Sequence, residues 1–383
     1  MSRRKIILGA VALVMATVVL TTSAFVYVLH VYAGDAASTL RLFRAMQIIK
    51  SRYVENTSAD TLLTGAIKGM VSSLGDPHSI YMDPKMFKDF MVETEGSFGG
   101  VGIVLGAKEK VLTVVSPIEG TPGEKAGIKS GDSIIKINGQ DTKTMALDEA
   151  VSKIRGPEGT QVTLTILRGQ DIRDYTLTRS NIQIKTVSGK MLPENIGYMR
   201  ISMFNEQTNN EFVKKYQELE KEGMKAIILD LRDNPGGLLD ECVKVANKFV
   251  PKGPVVSVVT RDGRRDTSTS NLEAVKYPCV VLVNGGSASA SEIVAGAIQD
   301  TGAGTLVGTK TFGKGSVQTI MRLDGGAAIK LTIAKYYTPG GRSINGVGIE
   351  PDVKVDLPEK RDGTEMRDTQ LGKVLEIVKS KMR

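Results

Sequence analysis

Hydrophobic and polar positions follow three different patterns along the chain. Residues 6–33 have no charged side chain and are mostly aliphatic. Residues 97–168 contain short apolar runs separated by turn residues, a pattern typical of a small β-rich domain. From about residue 196 onwards, apolar strands alternate with amphipathic helical segments, which indicates an α/β domain. The pattern therefore predicts a mixed α/β protein with an apolar N-terminal segment.

Helices are expected directly after the apolar segment. Residues 36–54 place their apolar positions mainly at helical spacing, and residues 61–74 are predicted to form a second helix. Residues 75–78 (GDPH) then give a turn signal. His78 is therefore expected to serve the turn or a cap.

The β-rich region is predicted to contain four strands and one helix. Asn138 and Gly139 follow the third strand and form the strongest two-residue hairpin signal. The predicted strands are residues 101–105, 111–115, 133–137 and 161–167, and the predicted helix is residues 147–154.

The α/β region is predicted to contain seven strands and four helices. The strands are residues 196–201, 226–231, 255–259, 279–283, 305–309, 317–321 and 327–333, and the helices are residues 207–221, 239–250, 291–299 and 369–382.

The N-terminal apolar segment is long enough to cross a bilayer as a helix. Residues 6–29 exceed the roughly 20 apolar residues that a span needs. The charges of Arg3, Arg4 and Lys5 favour a cytoplasmic N-terminus and an exported body. A cleaved signal peptide is the alternative, because small residues occur at positions 32–34. The apolar stretch exceeds the usual h-region of about 7–15 residues, so an uncleaved single-pass anchor is favoured.

The amino-acid composition is that of an ordinary globular protein, and it argues against nucleic-acid binding and metal binding. Hydrophobic residues make up 41% and charged residues 24% of the chain. Arg3, Arg4 and Lys5 supply three charges of the net +8, and the rest of the chain has a mild basic excess without a dense basic run, which argues against nucleic-acid binding. Cys242 and Cys279 are expected to be buried, unpaired thiols. With no Cys/His cluster, neither a structural zinc site nor another metal site is expected.

A serine-rich motif follows the predicted strand 279–283. Residues 287–292 (SASASE) stand between this strand and the next helix. A serine at such a turn is exposed at the edge of the sheet, and the unpaired N–H groups of the helix start can stabilise an oxyanion. The alternative is that these serines only cap the helix.

A lysine flanked by glycines supplies a candidate base. Lys314 lies between Gly313 and Gly315, and Gln318 follows four residues later. Glycine on both sides lets the backbone approach closely, and desolvation lowers the pKa of a lysine so that it can act as a general base. The alternative is an ordinary solvated loop lysine.

Residues 230–237 (DLRDNPGG) form a third motif after a buried strand. The amides of Gly236 and Gly237 could add an oxyanion donor, although a tight strand-to-helix turn would use the same residues.

A Ser–His–Asp mechanism is disfavoured. His30 lies at the end of the apolar segment, so His78 would have to be the base and Lys314 would have no role.

Two segments resemble the PDZ family. Residues 98–103 (FGGVGI) form a glycine-rich turn whose amides could hold a carboxylate, and residues 126–139 (AGIKSGDSIIKING) resemble PDZ domains closely. The resemblance implies that a peptide C-terminus adds as a strand beside residues 101–105. A PDZ-shaped spacer that binds nothing is the alternative. The implied peptide-binding residues are Gly99, Gly100, Val101, Gly102, Ile103, Leu147 and Val151.

The three catalytic motifs, in this order, resemble the carboxyl-terminal processing peptidases, or tail-specific proteases, from about residue 40 to the C-terminal helix. The resemblance implies a crotonase/ClpP-like α/β core with an inserted PDZ domain and flanking helices. It also implies that Ser289 is the nucleophile, Lys314 the base and Gln318 the residue that orients it. The implied oxyanion donors are the amides of Ala290 and of Gly236 or Gly237. Glu292 and Asp300 match family positions and are interpreted as structural.

The expected organisation has five parts. We expect an anchor or signal segment (1–33), a helical region (34–95), a PDZ domain (96–183), a serine peptidase core (184–357) and a C-terminal helix (358–383).

The expected function is that of a serine endopeptidase without a cofactor. It would cleave exported proteins or peptides, with the PDZ domain recognising C-termini and gating activity. Apolar stripes on helices 36–54 and 369–382 suggest a homodimer. The alternative is a membrane-tethered PDZ scaffold with a non-catalytic peptidase body. An acyl-CoA enzyme is disfavoured because no nucleotide-binding motif occurs.

Overall fold

A computed structural model describes residues 3–34, 36–108, 111–356 and 368–382. The chain forms two compact units, Met1–Tyr81 and Met82–Arg383. The expected boundary between residues 357 and 358 lies outside the described residues.

The first unit is helical, as the sequence predicts. Its helices are α1 (Arg3–Ala33), α2 (Ala36–Arg52) and α3 (Ala59–Ser72). Within α1, Ile7–Val28 is long and apolar enough to cross a membrane. The apolar stripe of α2 is exposed, as expected: Leu40 is 61% and Phe43 56% exposed. The short strand β1 (Ile80–Met82) ends this unit and begins the second.

Helix α4 (Pro84–Glu95) was not predicted. The Asp83 side chain caps it by accepting a 2.9 Å hydrogen bond from the Met86 amide, and Pro84 occupies the first turn. Gly96 ends it in the left-handed region at φ 68°. None of its residues is fully buried, although Met86, Phe87, Phe90 and Met91 lie at helical spacing.

A six-stranded antiparallel sheet with helix α6 on it forms the PDZ-like module. The order is β3-β4-β5-β7-β8, with β6 paired to β5. The turn at Asn138 and Gly139 has φ values of 49° and 79° and joins β5 to β6, which confirms the hairpin prediction. The elements are β3 (Ile103–Lys108), β4 (Val111–Pro117), α5 (Pro122–Lys125), β5 (Ser133–Ile137), β6 (Gln140–Asp141), α6 (Leu147–Ile154), β7 (Gln161–Arg168) and β8 (Asp171–Thr178).

The expected strand at residues 101–105 is wrong at its start. Strand β2 (Ser97–Gly100) pairs instead with β9 (Ser180–Gln183), and β3 begins only at Ile103. Gly102, at φ 70°, separates the two strands. Gly99 and Gly100 therefore belong to a strand ladder rather than to a turn.

A six-stranded, mainly parallel sheet forms the centre of the α/β domain. Its order is β10-β11-β12-β15-β16-β19, and only β10 runs antiparallel to its neighbour. Alternate residues of β12 face opposite sides: Ile227 and Leu229 join one core, and Ala226 and Ile228 the other. The strands are β10 (Val187–Leu192), β11 (Ile196–Ile201), β12 (Ala226–Asp230), β15 (Cys279–Val283), β16 (Gly304–Gly308) and β19 (Val353–Lys354).

Helices cover both faces of this sheet. Helices α7 (Thr208–Lys221), α8 (Leu239–Ala246) and α9 (Ala290–Asp300) contribute to the larger core. Helix α10 (Thr369–Lys381) packs on the other face through Val374 and Val378, both 0% exposed. The expectation that residues 369–382 expose an apolar stripe is therefore wrong, because the sheet covers it.

A second antiparallel sheet completes the domain. Strand β18 pairs with β17 and β13, and β13 pairs with β14. Both cysteines are buried and unpaired, as predicted. The strands are β13 (Gly253–Thr260), β14 (Arg265–Ser270), β17 (Ser316–Arg322) and β18 (Ala328–Tyr337).

Candidate active site

Two loops meet at the carboxyl ends of adjacent parallel strands. The loop after β12 contains Asn234, and the loop after β15 leads to Ser289. The Ala288 amide and the Ser291 hydroxyl each donate to the Asn234 carbonyl at 3.0 Å. Ser287 Oγ donates to the Leu231 carbonyl at 2.8 Å. The two loops therefore form one rigid surface at the edge of the sheet, where α/β proteins commonly bind ligands.

Ser289 has an unusual backbone conformation. Its φ of 53° and ψ of −114° lie outside the ordinary regions for a residue with a side chain, and it directly precedes α9. The Ser289 amide donates to a Glu292 carboxylate oxygen at 2.9 Å. The sharp turn places Ser289 at the start of the helix, facing a cavity.

Two amides near Ser289 have no acceptor among the residues that the structure describes. Gly236 N donates to Asn234 Oδ1 at 2.9 Å. Within the described part of the chain, the amides of Gly237 and Ala290 donate no hydrogen bond. A Cβ at Gly236 would lie 2.8 Å from Ser289 Cβ and 2.9 Å from Ala290 N, so only glycine permits this approach. The arrangement offers two amide donors to an anion.

Lys314 and Gln318 are in direct contact. Lys314 Nζ donates to Gln318 Oε1 at 2.7 Å. Gln318 Nε2 donates to Ser316 Oγ at 2.9 Å and to Thr332 Oγ1 at 3.0 Å. Because both hydroxyls accept from the amide nitrogen, the amide oxygen points towards Lys314.

Glu292 joins the serine and lysine motifs. Its carboxylate is fully buried and accepts the amides of Ser289 and Lys314, both at 2.9 Å, and that of Gly313 at 2.8 Å. The Thr311 hydroxyl donates to it at 2.5 Å. The sequence suggested a structural role for Glu292 but not this connection. Asp300, by contrast, pairs with Arg342 and accepts the Gly340 amide.

Tyr336 was missed by the sequence analysis. Its hydroxyl donates to the Ser289 carbonyl at 3.1 Å and also contacts the Lys314 carbonyl. Burial raises the pKa of this phenol well above its usual value, and the Glu292 carboxylate adds to the rise. No local motif marks Tyr336, because its partners lie in distant segments.

One cavity brings the predicted catalytic residues together. Its volume is about 780 Å³, and α4 also contributes to its wall through Phe90 and Glu93. His78 lies in the other compact unit, in a turn where its amide donates to Asp76 Oδ1 at 3.0 Å. The predicted residues that line the cavity are Gly236, Gly237, Ser289, Ala290, Lys314 and Gln318.

The predicted peptide-binding residues lie in the PDZ-like module. Strand β3 is an edge strand beside α6, and Ile103 and Leu147 pack against the module's core. Val151 on α6 is half-buried. The amides of Val101 and Gly102 donate no hydrogen bond within the described residues, whereas the Gly99 carbonyl accepts the Gly156 amide at 3.0 Å. Gly99 and Gly100 are held by strand β9.

The described residues include no group of three or more His, Cys, Asp or Glu residues that could hold a metal ion.

Comparison with known proteins defines the class. The sequence matches the family models of peptidase family S41 over residues 195–355, the PDZ domain over residues 89–167, and the activating protease CtpB N-terminal domain over residues 31–86. The chain is a serine-type peptidase of mixed α/β fold that contains a PDZ domain.

Individual relatives specify the family. The carboxy-terminal processing protease CtpA of Bacillus subtilis (strain 168) is 44% identical over 322 residues, which cover 83% of this chain and 69% of that protein. The carboxy-terminal-processing protease of Bartonella bacilliformis is 44% identical over 329 residues, covering 82% and 75%. The chain belongs to the carboxy-terminal processing protease family, which confirms the resemblance seen in the sequence.

A solved structure supports the same fold. The photosystem II D1 C-terminal processing protease is 31% identical to this chain, with a TM-score of 0.50. The match covers 90% of this chain and 91% of that protein.

Proposed function

We propose that Ser289 and Lys314 form the catalytic dyad of an endopeptidase that cleaves exported proteins or peptides. One observation carries this proposal. Both residues line the same cavity, and the Glu292 carboxylate accepts the backbone amides of both. Their segments are thus held in a fixed relation, as a nucleophile and its base must be.

In the proposed reaction, Ser289 Oγ attacks the scissile carbonyl carbon while Lys314 Nζ accepts the hydroxyl proton. The carbonyl oxygen becomes an oxyanion. Collapse of this intermediate breaks the C–N bond, and Lys314 returns the proton to the leaving amine. Water then attacks the acyl-enzyme, with Lys314 again accepting and returning a proton, and this releases the new carboxyl group and Ser289.

The proposed oxyanion donors are the amides of Ala290 and Gly237. Gly237 is favoured over Gly236 because the Gly236 amide already donates to Asn234. Gln318 is proposed to orient Lys314 through the 2.7 Å contact with its amine. This use of strand-to-helix turns beside a parallel sheet also supports a crotonase/ClpP-like description of the core.

The dyad is tested by cleavage of an unfolded protein. Ser289→Ala and Lys314→Ala should each abolish cleavage, because the two groups act as one unit. Lys310→Ala is a matched control, since Lys310 is exposed and pairs with Glu350 at 3.0 Å. Circular dichroism should show that all variants remain folded. Cleavage by Ser289→Ala would contradict the proposal, and peptide binding without cleavage by the wild type would identify a PDZ scaffold instead.

We also propose that the PDZ domain binds peptide C-termini along the β3 edge, with the amides of Val101 and Gly102 facing the carboxylate. Calorimetry with the Ser289→Ala protein should detect a free-acid peptide and not its amidated form. Leu147→Asp should abolish this binding. Equal binding of both peptide forms would contradict the proposal.

Anchoring by α1 and homodimerisation complete the proposal. The exposed apolar segment Ile7–Val28 supports a single-pass anchor with the peptidase outside the cytoplasm, or a signal sequence if it is removed. The exposed stripe on α2 supports a homodimer. Membrane fractionation tests the first, and a monomeric sedimentation coefficient would contradict the second.

A further inference from the structure

A third lysine lines the catalytic cavity on the same face as Gln318. In the β17–β18 hairpin, Gln318 lies opposite Thr332, and Ile320 lies opposite Lys330. Residues two apart on a strand share a face. Gln318, Ile320 and Lys330 all line the cavity. Lys330 therefore lies one same-face step, about 7 Å along the strand, from the level of Gln318.

The lysines of the cavity differ in their partners. Lys314 Nζ donates to Gln318 Oε1, and Lys244 Nζ pairs with Glu241 at 2.6 Å. Among the described residues, no carboxylate oxygen lies within 4.0 Å of Lys330 Nζ. Its amine instead lies 5.2 Å from the centre of the Phe90 ring of α4.

Lys330 is a partly buried cation, and no carboxylate of the described residues is in direct contact with its charge. Burial lowers the pKa of its amine, and the Glu93 carboxylate, acting through space from α4, works in the opposite direction. The Phe90 ring offers a weaker attraction than a carboxylate in direct contact. A carboxylate that entered the cavity would therefore gain a charge-assisted hydrogen bond with an amine that lacks one.

We propose that Lys330 binds a carboxylate of the substrate inside the catalytic cavity and so determines specificity for the reaction. It is a binding residue for substrate, separate from the groups that break the bond. The inference rests on the proposed function, because it assumes that the scissile carbonyl lies at Ser289.

The position of Lys330 sets the expected distance from the scissile bond. A strand step of about 7 Å beyond Gln318 corresponds to about two to three residues of an extended peptide. Two sources could supply the carboxylate there: the C-terminal carboxylate of a chain cut close to its end, or an Asp or Glu side chain. Both present the same oxygen acceptors to the amine.

Four peptides with one mapped scissile bond separate these sources. The reference peptide is uncharged around that bond and amidated at its C-terminus. The second has a free C-terminal carboxylate three residues beyond the bond. The third and fourth remain amidated and carry Asp three residues after or before the bond. Amidation prevents capture of the last two by a C-terminus-binding groove.

The measured quantity is the ratio of kcat/KM for each charged peptide to kcat/KM for the reference. We expect at least one ratio to be about tenfold or more in the wild type. Lys330→Met keeps most of the side-chain volume without the charge and should bring that ratio to about one. Lys330→Arg should retain part of the preference. Lys335→Met is the matched control, because Lys335 lies on the same strand but is exposed and does not line the cavity.

Because the ratio is taken within each variant, it is insensitive to the folded fraction. The peptide with the high ratio identifies the source of the carboxylate. Ratios near one for all peptides in the wild type, or a preference that survives Lys330→Met, would overturn the inference and leave the Ser289–Lys314 proposal standing. Cleavage of the reference peptide by Ser289→Ala would instead overturn the proposed function.

Discussion

Asp132 of the PDZ domain and Glu292 of the peptidase domain are both buried carboxylates, but their surroundings satisfy them differently. Asp132 of the PDZ domain is 1% exposed and accepts Arg168 Nε at 2.6 Å and an Arg168 terminal nitrogen at 2.7 Å. Glu292 of the peptidase domain is 0% exposed and accepts three backbone amides and one hydroxyl. No cation pairs with Glu292 within the described residues.

The two carboxylates are therefore expected to have different roles: Asp132 stabilises the PDZ domain, and Glu292 positions the candidate catalytic residues. Asp132 and Arg168 form one local ion pair that fastens the end of β7 to the turn before β5. Glu292 instead accepts hydrogen bonds from two segments of chain, at Ser289 and at residues 311–314, and so holds the two candidate catalytic residues relative to each other. Substitution of Asp132 should affect mainly the unfolding of the PDZ domain, and substitution of Glu292 should affect mainly catalysis.

The largest effect is expected for Glu292→Gln. The glutamine amide would turn an N–H₂ group towards backbone donors, so the Ser289 and Lys314 segments should separate. We expect kcat/KM to fall by about 100-fold or more, because small displacements of reacting groups cost roughly that much. Peptide hydrolysis measures this. Glu350→Gln, at a carboxylate that is 68% exposed, should behave like the wild type. Near-normal activity of Glu292→Gln would remove the distinction between the two carboxylates.

Asp132→Asn should act on stability instead. Loss of the charge leaves Arg168 poorly paired, and we expect the PDZ domain to lose about 2 kcal/mol of stability. Cys242 and Cys279 are buried in the peptidase domain, and burial raises the pKa of both thiols. Thiol alkylation therefore reports opening of the peptidase domain alone.

The Asp132→Asn protein should show one unfolding phase at a lower urea concentration than the wild type. During that phase, both thiols should remain protected from alkylation. Asp171→Asn, which breaks an exposed pair with Arg173 in the same module, should change little. Simultaneous exposure of the thiols would show that the two modules unfold together.

Acidic pH should reduce the difference in the free energy of unfolding between the Asp132→Asn protein and the wild type. Burial alone would raise the pKa of Asp132, but hydrogen bonds from Arg168 and from the Lys129 amide outweigh it and lower the pKa. A carboxyl group whose folded pKa is depressed stabilises the protein above its unfolded value of about 3.9. That contribution is lost as pH falls through the lower folded pKa. Urea unfolding should show a smaller difference in stability between the two proteins at about pH 3 than at pH 7. An equal difference at both pH values would contradict a stabilising role for the ionised Asp132.

A smaller effect is expected for Tyr336→Phe. Loss of the hydroxyl removes one donor to the Ser289 carbonyl and should reduce kcat/KM by about fivefold, or roughly 1 kcal/mol. The raised pKa keeps the phenol protonated in alkaline solution, so the loss should be similar at pH 7 and pH 9. Tyr337→Phe provides the neighbouring control. Equal effects at both tyrosines would indicate general packing rather than positioning.

The sequence predicted the elements whose apolar pattern is strong. Strands Ser133–Ile137, Ile196–Ile201 and Cys279–Val283 and helix Leu147–Ile154 begin and end where their spacing indicates. Strand β8 (Asp171–Thr178) was missed because most of its residues are exposed and polar. Helix α4 was missed although the sequence carries its signals: Asp83 and Pro84 at its start, Gly96 at its end, and apolar residues at helical spacing between them.

The candidate site was only partly predictable. Serine, lysine and glycine motifs are local, so they could be read directly. The use of the Gly236 amide by Asn234, and the contacts of Tyr336, depend on how distant segments pack. No spacing rule along one chain contains that information, which is why the sequence left the choice between Gly236 and Gly237 open.

The backbone at Ser289 has a thermodynamic consequence. A residue with a side chain held at such an angle costs about 1–3 kcal/mol, whereas glycine adopts positive φ easily. Replacing Ser289 with glycine should therefore give a protein that melts at a higher temperature than the native one, while the corresponding alanine protein should not. The fold thus holds its candidate nucleophile in place at the expense of its own resistance to heat.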